Sequence, residues 1–132
     1  MRKLLLLVSV VLISSCSSAP FEHTKNIYDA KYLKPDSETS HVRVHRVSQV
    51  SGSALGESCP LVLKVDNTET VGLQQNQYVD LYLPNGNHTL SVRFKCALTA
   101  WKKSVDLLAN GNYQEYATET GAVGQYRMWR VK

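Results

Sequence analysis

Residues 59–66, Cys-Pro-Leu-Val-Leu-Lys-Val-Asp, and residues 88–96, His-Thr-Leu-Ser-Val-Arg-Phe-Lys-Cys, decide the fold. In the first, Leu61, Leu63 and Val65 share one side. In the second, Leu90, Val92, Phe94 and Cys96 do the same. A period of two is the period of a half-buried strand. Setting the two strands antiparallel with Cys59 opposite Cys96 brings Leu61 to Phe94, Leu63 to Val92 and Val65 to Leu90. Every inward residue then meets an inward residue. A slip of one residue would turn one whole set to the other face.

The same alternation extends to both sides. His41 to Val47 puts Val42 and Val44 opposite His41, Arg43 and His45. Glu69 to Leu73 is a short strand after the Asp66-Asn67-Thr68 turn. Gln77 to Leu83 places Val79, Leu81 and Leu83 opposite Tyr78, Asp80 and Tyr82. Pro84-Asn85-Gly86-Asn87 carries the signal of a hairpin, since proline presets one dihedral and glycine accepts positive φ. Further strands are expected at Lys102–Leu108, Tyr113–Thr120 and Gln125–Val131, with turns at Asn110-Gly111 and Gly121/Gly124. Ser51 to Gly56 reads as loop. Seven to eight short strands at this spacing predict an all-β domain, an antiparallel β-sandwich or small barrel.

The N-terminus has a different grammar. Arg2 and Lys3 precede an apolar run from Leu4 to Ile13, broken only by Ser9, and then Ser14-Ser15-Cys16. A charged head and an apolar run this short form a signal peptide rather than a membrane span. Ile13-Ser14-Ser15-Cys16 resembles the bacterial lipobox, an aliphatic and two small residues before a cysteine. The resemblance implies diacylglycerol on the Cys16 thiol, cleavage before Cys16 and acylation of the new amino group, palmitate among the chains. An ordinary secretory leader with an incidental cysteine is the alternative. Two or more acyl chains hold a protein stably to a bilayer. Ser17 stands where an aspartate favours inner-membrane retention in enterobacterial-type lipoproteins. In a Gram-negative cell the resemblance therefore implies the outer membrane, facing the periplasm.

The expected organisation is a signal peptide at 1–15, a lipidated cysteine and tether at 16–40, and a β-domain at 41–132. The segment before Ser40 holds Pro20, Pro35 and many polar residues without a clean period. It reads as a tether with a root-mean-square reach of about 25–30 Å. Ile27, Tyr28, Ala30, Tyr32 and Leu33 offer the other reading, a short helix or a strap. With Cys16 lipidated, Cys59 and Cys96 remain for a disulfide in an exported protein, where such bonds persist. Two separate buried thiols are the alternative.

Val65-Asp66, Val71-Gly72 and Tyr78 to Leu83 running into Pro84-Asn85-Gly86-Asn87-His88-Thr89-Leu90 resemble PEGA-type β-domains and the small bacterial lipoproteins related to them. The chain departs from that pattern with Asn67 for a turn glycine and with the extra Asn85. The resemblance implies an antiparallel β-domain on an exported protein and carries no catalytic residues.

Composition narrows the function. At 43% hydrophobic and 20% charged, the chain is neither disordered nor an integral membrane protein. Its formal charge of +4 falls to +2 without Arg2 and Lys3, which argues against a nucleic-acid partner. His41 and His45 lie about 13 Å apart along a strand, too far to share one metal ion. No metal or cofactor is expected. Neither a Gly-x-Ser-x-Gly elbow nor a phosphate loop, Cys-x-x-Cys or His-Glu-x-x-His motif is present. Asp66, Glu69, Asp80, Asp106, Glu115 and Glu119 read as surface acids.

The expected function is therefore a non-catalytic envelope lipoprotein whose β-domain binds or scaffolds an envelope protein or glycan. Tyr78 and Tyr82, two apart with Asp80 between, and the Arg127–Arg130 patch are the expected contacts. Trp129 in that patch reads either as a contact or as a core residue closing the domain. The alternative function is an inhibitor of a periplasmic hydrolase such as lysozyme. Small β-barrel lipoproteins of that kind carry a Ser-Gly-x-x-Tyr stretch, echoed by Thr120-Gly121-Ala122-Val123-Gly124-Gln125-Tyr126.

Overall fold

A computed structural model describes residues 21–47, 58–121 and 124–132. Cys16, the leader, the Ser51–Gly56 loop and Ala122-Val123 lie outside the described residues. Ten strands follow in order: β1 (Glu22–His23), β2 (Asn26–Ile27), β3 (Thr39–Arg46), β4 (Leu61–Val65), β5 (Thr68–Leu73), β6 (Gln77–Pro84), β7 (Gly86–Phe94), β8 (Lys103–Ala109), β9 (Gln114–Thr120) and β10 (Tyr126–Arg130). They form two five-stranded sheets, β1-β6-β3-β9-β10 and β2-β5-β4-β7-β8. Neither sheet closes on itself, so the sandwich stands and the barrel does not. Eight strands match those read from alternation; β1 and β2 are additional.

The β4–β7 pairing has the register expected from the hydrophobic pattern. Leu61 faces Phe94, Leu63 faces Val92 and Val65 faces Leu90. Cys59 and Cys96 form a disulfide just beyond the Leu61–Phe94 pair, with Cα atoms 5.3 Å apart. The β4–β5 hairpin turns through Asp66 (φ 50°) and Asn67 (φ 67°), with Val65 opposite Thr68. Positive φ at both central residues is the type I′ turn that matches strand twist, and Asn and Asp tolerate it.

Two expectations about connectivity are corrected. Pro84 to Asn87 is not a hairpin: β6 belongs to one sheet and β7 to the other. The turn carries the chain across the sandwich, with Gly86 at φ 128°, a conformation side chains rarely adopt. The first sheet is also mixed rather than antiparallel. β3 pairs in parallel with β9, and β1 in parallel with β6. Parallel neighbours need a long connection, and between β3 and β9 the chain supplies it by building β4, β5, β7 and β8 of the opposite sheet as well as β6.

The core lies between the sheets. Val42, Val44, Val79, Leu81, Leu83 and Tyr116 meet Leu61, Leu63, Val65, Val71, Leu73, Leu90 and Val92. Each fully buried aliphatic side chain contributes roughly 1.5–3 kcal/mol relative to exposure. Ser40 is buried and ties the two crossovers at one end: its hydroxyl accepts from the Gly111 amide and donates to the Asn85 side chain.

From Phe21 onward the segment read as a tether is part of this body. β1 adds to the edge of the first sheet and β2 to the edge of the second, so the chain bridges the two open edges. Thr24, buried, donates its hydroxyl to the Gly72 carbonyl. Tyr32 is buried in the core and its carbonyl accepts from the Tyr82 amide at 2.7 Å. Gly72 makes room for this strap: a Cβ there would lie 2.7 Å from the Tyr28 hydroxyl and 3.0 Å from Pro60. The strap reading of Tyr28, Tyr32 and Leu33 therefore holds, and no helix forms in it.

Arg46 is the unusual core member. It is buried, donates to the Leu73 carbonyl at 2.8 Å and lies 5.2 Å from the Phe94 ring centre. Burial pulls its guanidinium down to about 10.

Candidate functional site

Alternation on β3 and β6 sends Val42, Val44, Val79 and Leu81 inward, so their neighbours must face out. Register then builds a surface row by row. His41 stands opposite Tyr82, Arg43 opposite Asp80 and His45 opposite Tyr78. The parallel neighbour β9 sets Glu115 beside Arg43 and Ala117 beside His45. β10 adds Arg127 against Glu119 and Trp129 against Ala117.

Asp80 sits at the centre of this face. Arg43 grips it with two donors, Nε to Oδ1 at 2.8 Å and Nη2 to Oδ2 at 3.1 Å. His41 Nε2 lies 2.8 Å from Oδ1. Burial alone would push the Asp80 carboxyl up, but hydrogen bonds from Arg43 and His41 outweigh it and hold it below the usual carboxylate range. The bond to Asp80 likewise raises the Arg43 guanidinium. Both carboxylate oxygens are thus engaged, and a two-point Arg–carboxylate grip fixes its geometry.

Aromatic rings surround that centre. Arg43 lies over the Tyr78 ring, 4.3 Å from its centroid. Phe21 stacks on the Tyr78 ring at 4.7 Å and meets His45 edge-on at 4.7 Å. His41 stacks on Tyr82 at 5.1 Å and packs at 4.7 Å from Tyr113. Burial, then Glu115, raises the Tyr113 hydroxyl above its ordinary value. The result is a broad outward face of rings around a fixed ion pair.

The structure unites Tyr78 and Tyr82 on this face, as their spacing indicates. It does not unite Arg127 with Arg130. Arg127 points outward and pairs with Glu119 at 2.9 Å. Arg130, one residue after Trp129 and so on the opposite side of β10, donates Nε to the Lys132 carbonyl at 2.7 Å. Trp129 is corrected from the core to the surface: it is 39% exposed, with the Arg127 guanidinium 5.9 Å from its ring. Met128 takes the core position instead. Phe21 and Tyr113 belong to the face and were not among the expected contacts, and Glu115, read only as a surface acid, stands beside Arg43. Phe21 fell in the supposed tether, and Tyr113 lies in a turn before β9.

Each of the six surface acids meets a basic or hydroxyl partner, and Asp66 and Asp106 meet on Thr89. Asp66 lies 2.6 Å from His88, Glu69 is 3.4 Å from Lys95, Glu115 is 3.8 Å from Lys132 and Asp106 accepts from Thr89. Among the described residues no group of three or more His, Cys, Asp or Glu could hold a metal ion. One open recess of about 270 Å³ is lined by Lys103, Tyr126, Arg127, Met128 and Trp129. Another, about 280 Å³, lies among Glu22, Lys25, Asn26, Gln74 and Gln77. No protein-family model, curated protein or solved structure matches this chain.

Proposed function

We propose that this protein is a non-catalytic envelope lipoprotein, anchored through Cys16, whose β-domain binds an envelope protein or glycan. The observation that carries the reading is the outward face of the first sheet. Tyr78, Tyr82, His41, Tyr113 and Phe21 surround the Arg43–Asp80 pair there. Rings whose positions are set by stacking and by an ion pair lose little conformational entropy on binding, and tyrosine and arginine are enriched at interfaces. Asp80 has both oxygens engaged, which suits a contact surface better than proton transfer. The lipobox-like Ile13-Ser14-Ser15-Cys16 and the PEGA-like residues support the exported, anchored part of the reading.

Crosslinking and pull-down from intact cells tests it. Tyr78→Ala and Tyr82→Ala, each folded by circular dichroism, are expected to lower partner recovery without altering export. Hydrolytic turnover abolished by one Asp, Glu, His or Ser substitution would overturn the reading. A lysozyme panel run with the same variants separates a general binding module from a hydrolase inhibitor.

A further inference from the structure

We infer that one end of the sandwich, the end carrying Leu98, Trp101, Lys102 and Lys103, docks on an anionic phospholipid surface. The inference rests in part on the proposed Cys16 anchor.

The connection from β7 to β8 is short of reasons to be apolar. Leu98 is 103% exposed and Trp101 is 76% exposed, more than any other large apolar side chain described. The connection is nonetheless built. Arg93 donates to the carbonyls of Ala97 at 3.2 Å and Thr99 at 2.5 Å, and the disulfide at Cys96 pins its base. Its exposed apolar residues are thus presented by a braced loop. From Lys95 to Val105 there are three lysines and no acid; Lys95 lies 3.4 Å from Glu69, and Lys102 and Lys103 are exposed. Exposed leucine and tryptophan beside lysine match the bilayer interface, where indole settles at headgroup depth and ammonium meets phosphate.

Topology places the N-terminal entry at the same end. Glu22 pairs with Gln77 at the start of β6, next to the turn that leaves β5 after Leu73. Arg46 reaches from the first sheet to the Leu73 carbonyl and the Phe94 ring, so Leu73, Phe94 and Gln77 share one end. The connection bearing Leu98 leaves directly after Phe94. Lys103 shares a recess with Trp129, which continues the basic and aromatic rim onto β10.

The spacing then becomes a constraint. Cys16 precedes Phe21 by five residues. Five residues span at most about 18 Å. A lipid at Cys16 therefore holds this end, and not the opposite one with Ser40 and Gly111, against the headgroups. Charge and apolar exposure both lie where the tether would press them.

Brominated-lipid quenching decides it. Trp129→Phe leaves Trp101 as the sole tryptophan. The mature, palmitate-labelled chain is reconstituted in phosphatidylethanolamine–phosphatidylglycerol vesicles and, separately, in phosphatidylcholine vesicles. Trp101 emission is expected to shift to the blue and to be quenched by shallowly brominated chains, more strongly with phosphatidylglycerol. Lys102→Glu/Lys103→Glu is expected to reduce the docked-to-undocked ratio about thirty-fold or more, from two lost lysine contacts. Asn112→Ala, exposed at the opposite end beside Gly111, is expected to leave the Trp101 quenching unchanged. An acylated chain whose Trp101 stays unquenched and red-emitting overturns the docking. So does protection of Trp101 that rises with protein concentration and ignores lipid, which marks a second copy as the occupant. If palmitate label is absent, the anchor fails; the processed chain is then added to the same vesicles and the same quenching judges the face on its own.

Discussion

Removing the Cys59–Cys96 bridge tests the logic of the fold most directly. The bond closes a sequence separation of 37 residues that includes β4 to β7 and the two crossings that take the chain to β6 and back. Cys59 is buried and Cys96 exposed, so Cys59→Ala/Cys96→Ser opens little cavity and strands no charge. In the chain-entropy account, freeing a loop of this length in the unfolded state costs about 4 kcal/mol of stability. For a domain of this size that corresponds to roughly 15–25 °C in Tm. Urea unfolding of the variant and the oxidised wild type, with equal slopes, is the assay. The β4–β7 ladder is held by three inward pairs of its own, so the variant is expected to keep its register and its circular dichroism. A loss under about 1 kcal/mol would refute the argument, because it would mean that the unfolded chain already holds these strands together.

Three further outcomes follow from the packing. Met128→Ala is expected to cost about 2–5 kcal/mol and Trp129→Ala under about 1 kcal/mol in the same assay; the reverse order would restore Trp129 to the core. Tyr32→Ala is expected to destabilise by about 2–5 kcal/mol as a buried large-to-small change in the strap, and a neutral result would show that residues before Ser40 do not contribute to the body. Burial pushes the Asp66 carboxyl up, but the Thr89 amide and His88 more than offset it and set it below the ordinary range. A lowered folded value means the unfolded state takes up the proton first, so this contribution is present above the ordinary carboxylate range and lost as pH falls through the lowered one. Melts of wild type and Asp66→Asn are expected to differ near neutral pH and to converge in acid; a constant gap would remove the carboxylate from the account.

How much of the candidate face was legible depends on the residue. Tyr78, Asp80 and Tyr82 share a side because a strand alternates, and β3 opposes His41, Arg43 and His45 to Val42 and Val44 for the same reason. No local pattern says that β3 and β6 are neighbours, so the grip of Arg43 on Asp80 was out of reach. Phe21 is further still: it stacks on a residue 57 positions away, from a segment without a period of its own.

The sequence by itself determined the eight longer strands, the inward sides of β3, β4, β6 and β7 and, once Cys59 is set opposite Cys96, the β4–β7 register. Each follows from a period of two and from matching one apolar set to another, which neighbouring residues express without help. Only the tertiary structure decided which sheet each strand joins. Pro84 to Asn87 has the dihedral preferences of a turn, and a turn serves a hairpin or a crossing equally well. The choice is made by what β6 and β7 bury: β6 finds β3 on one side of the core, and β7 finds β4 on the other. The parallel contact of β3 with β9, the strap across the open edges and the inward turn of Met128 have the same origin. All depend on contacts between residues far apart in the chain, whose energies no local window contains.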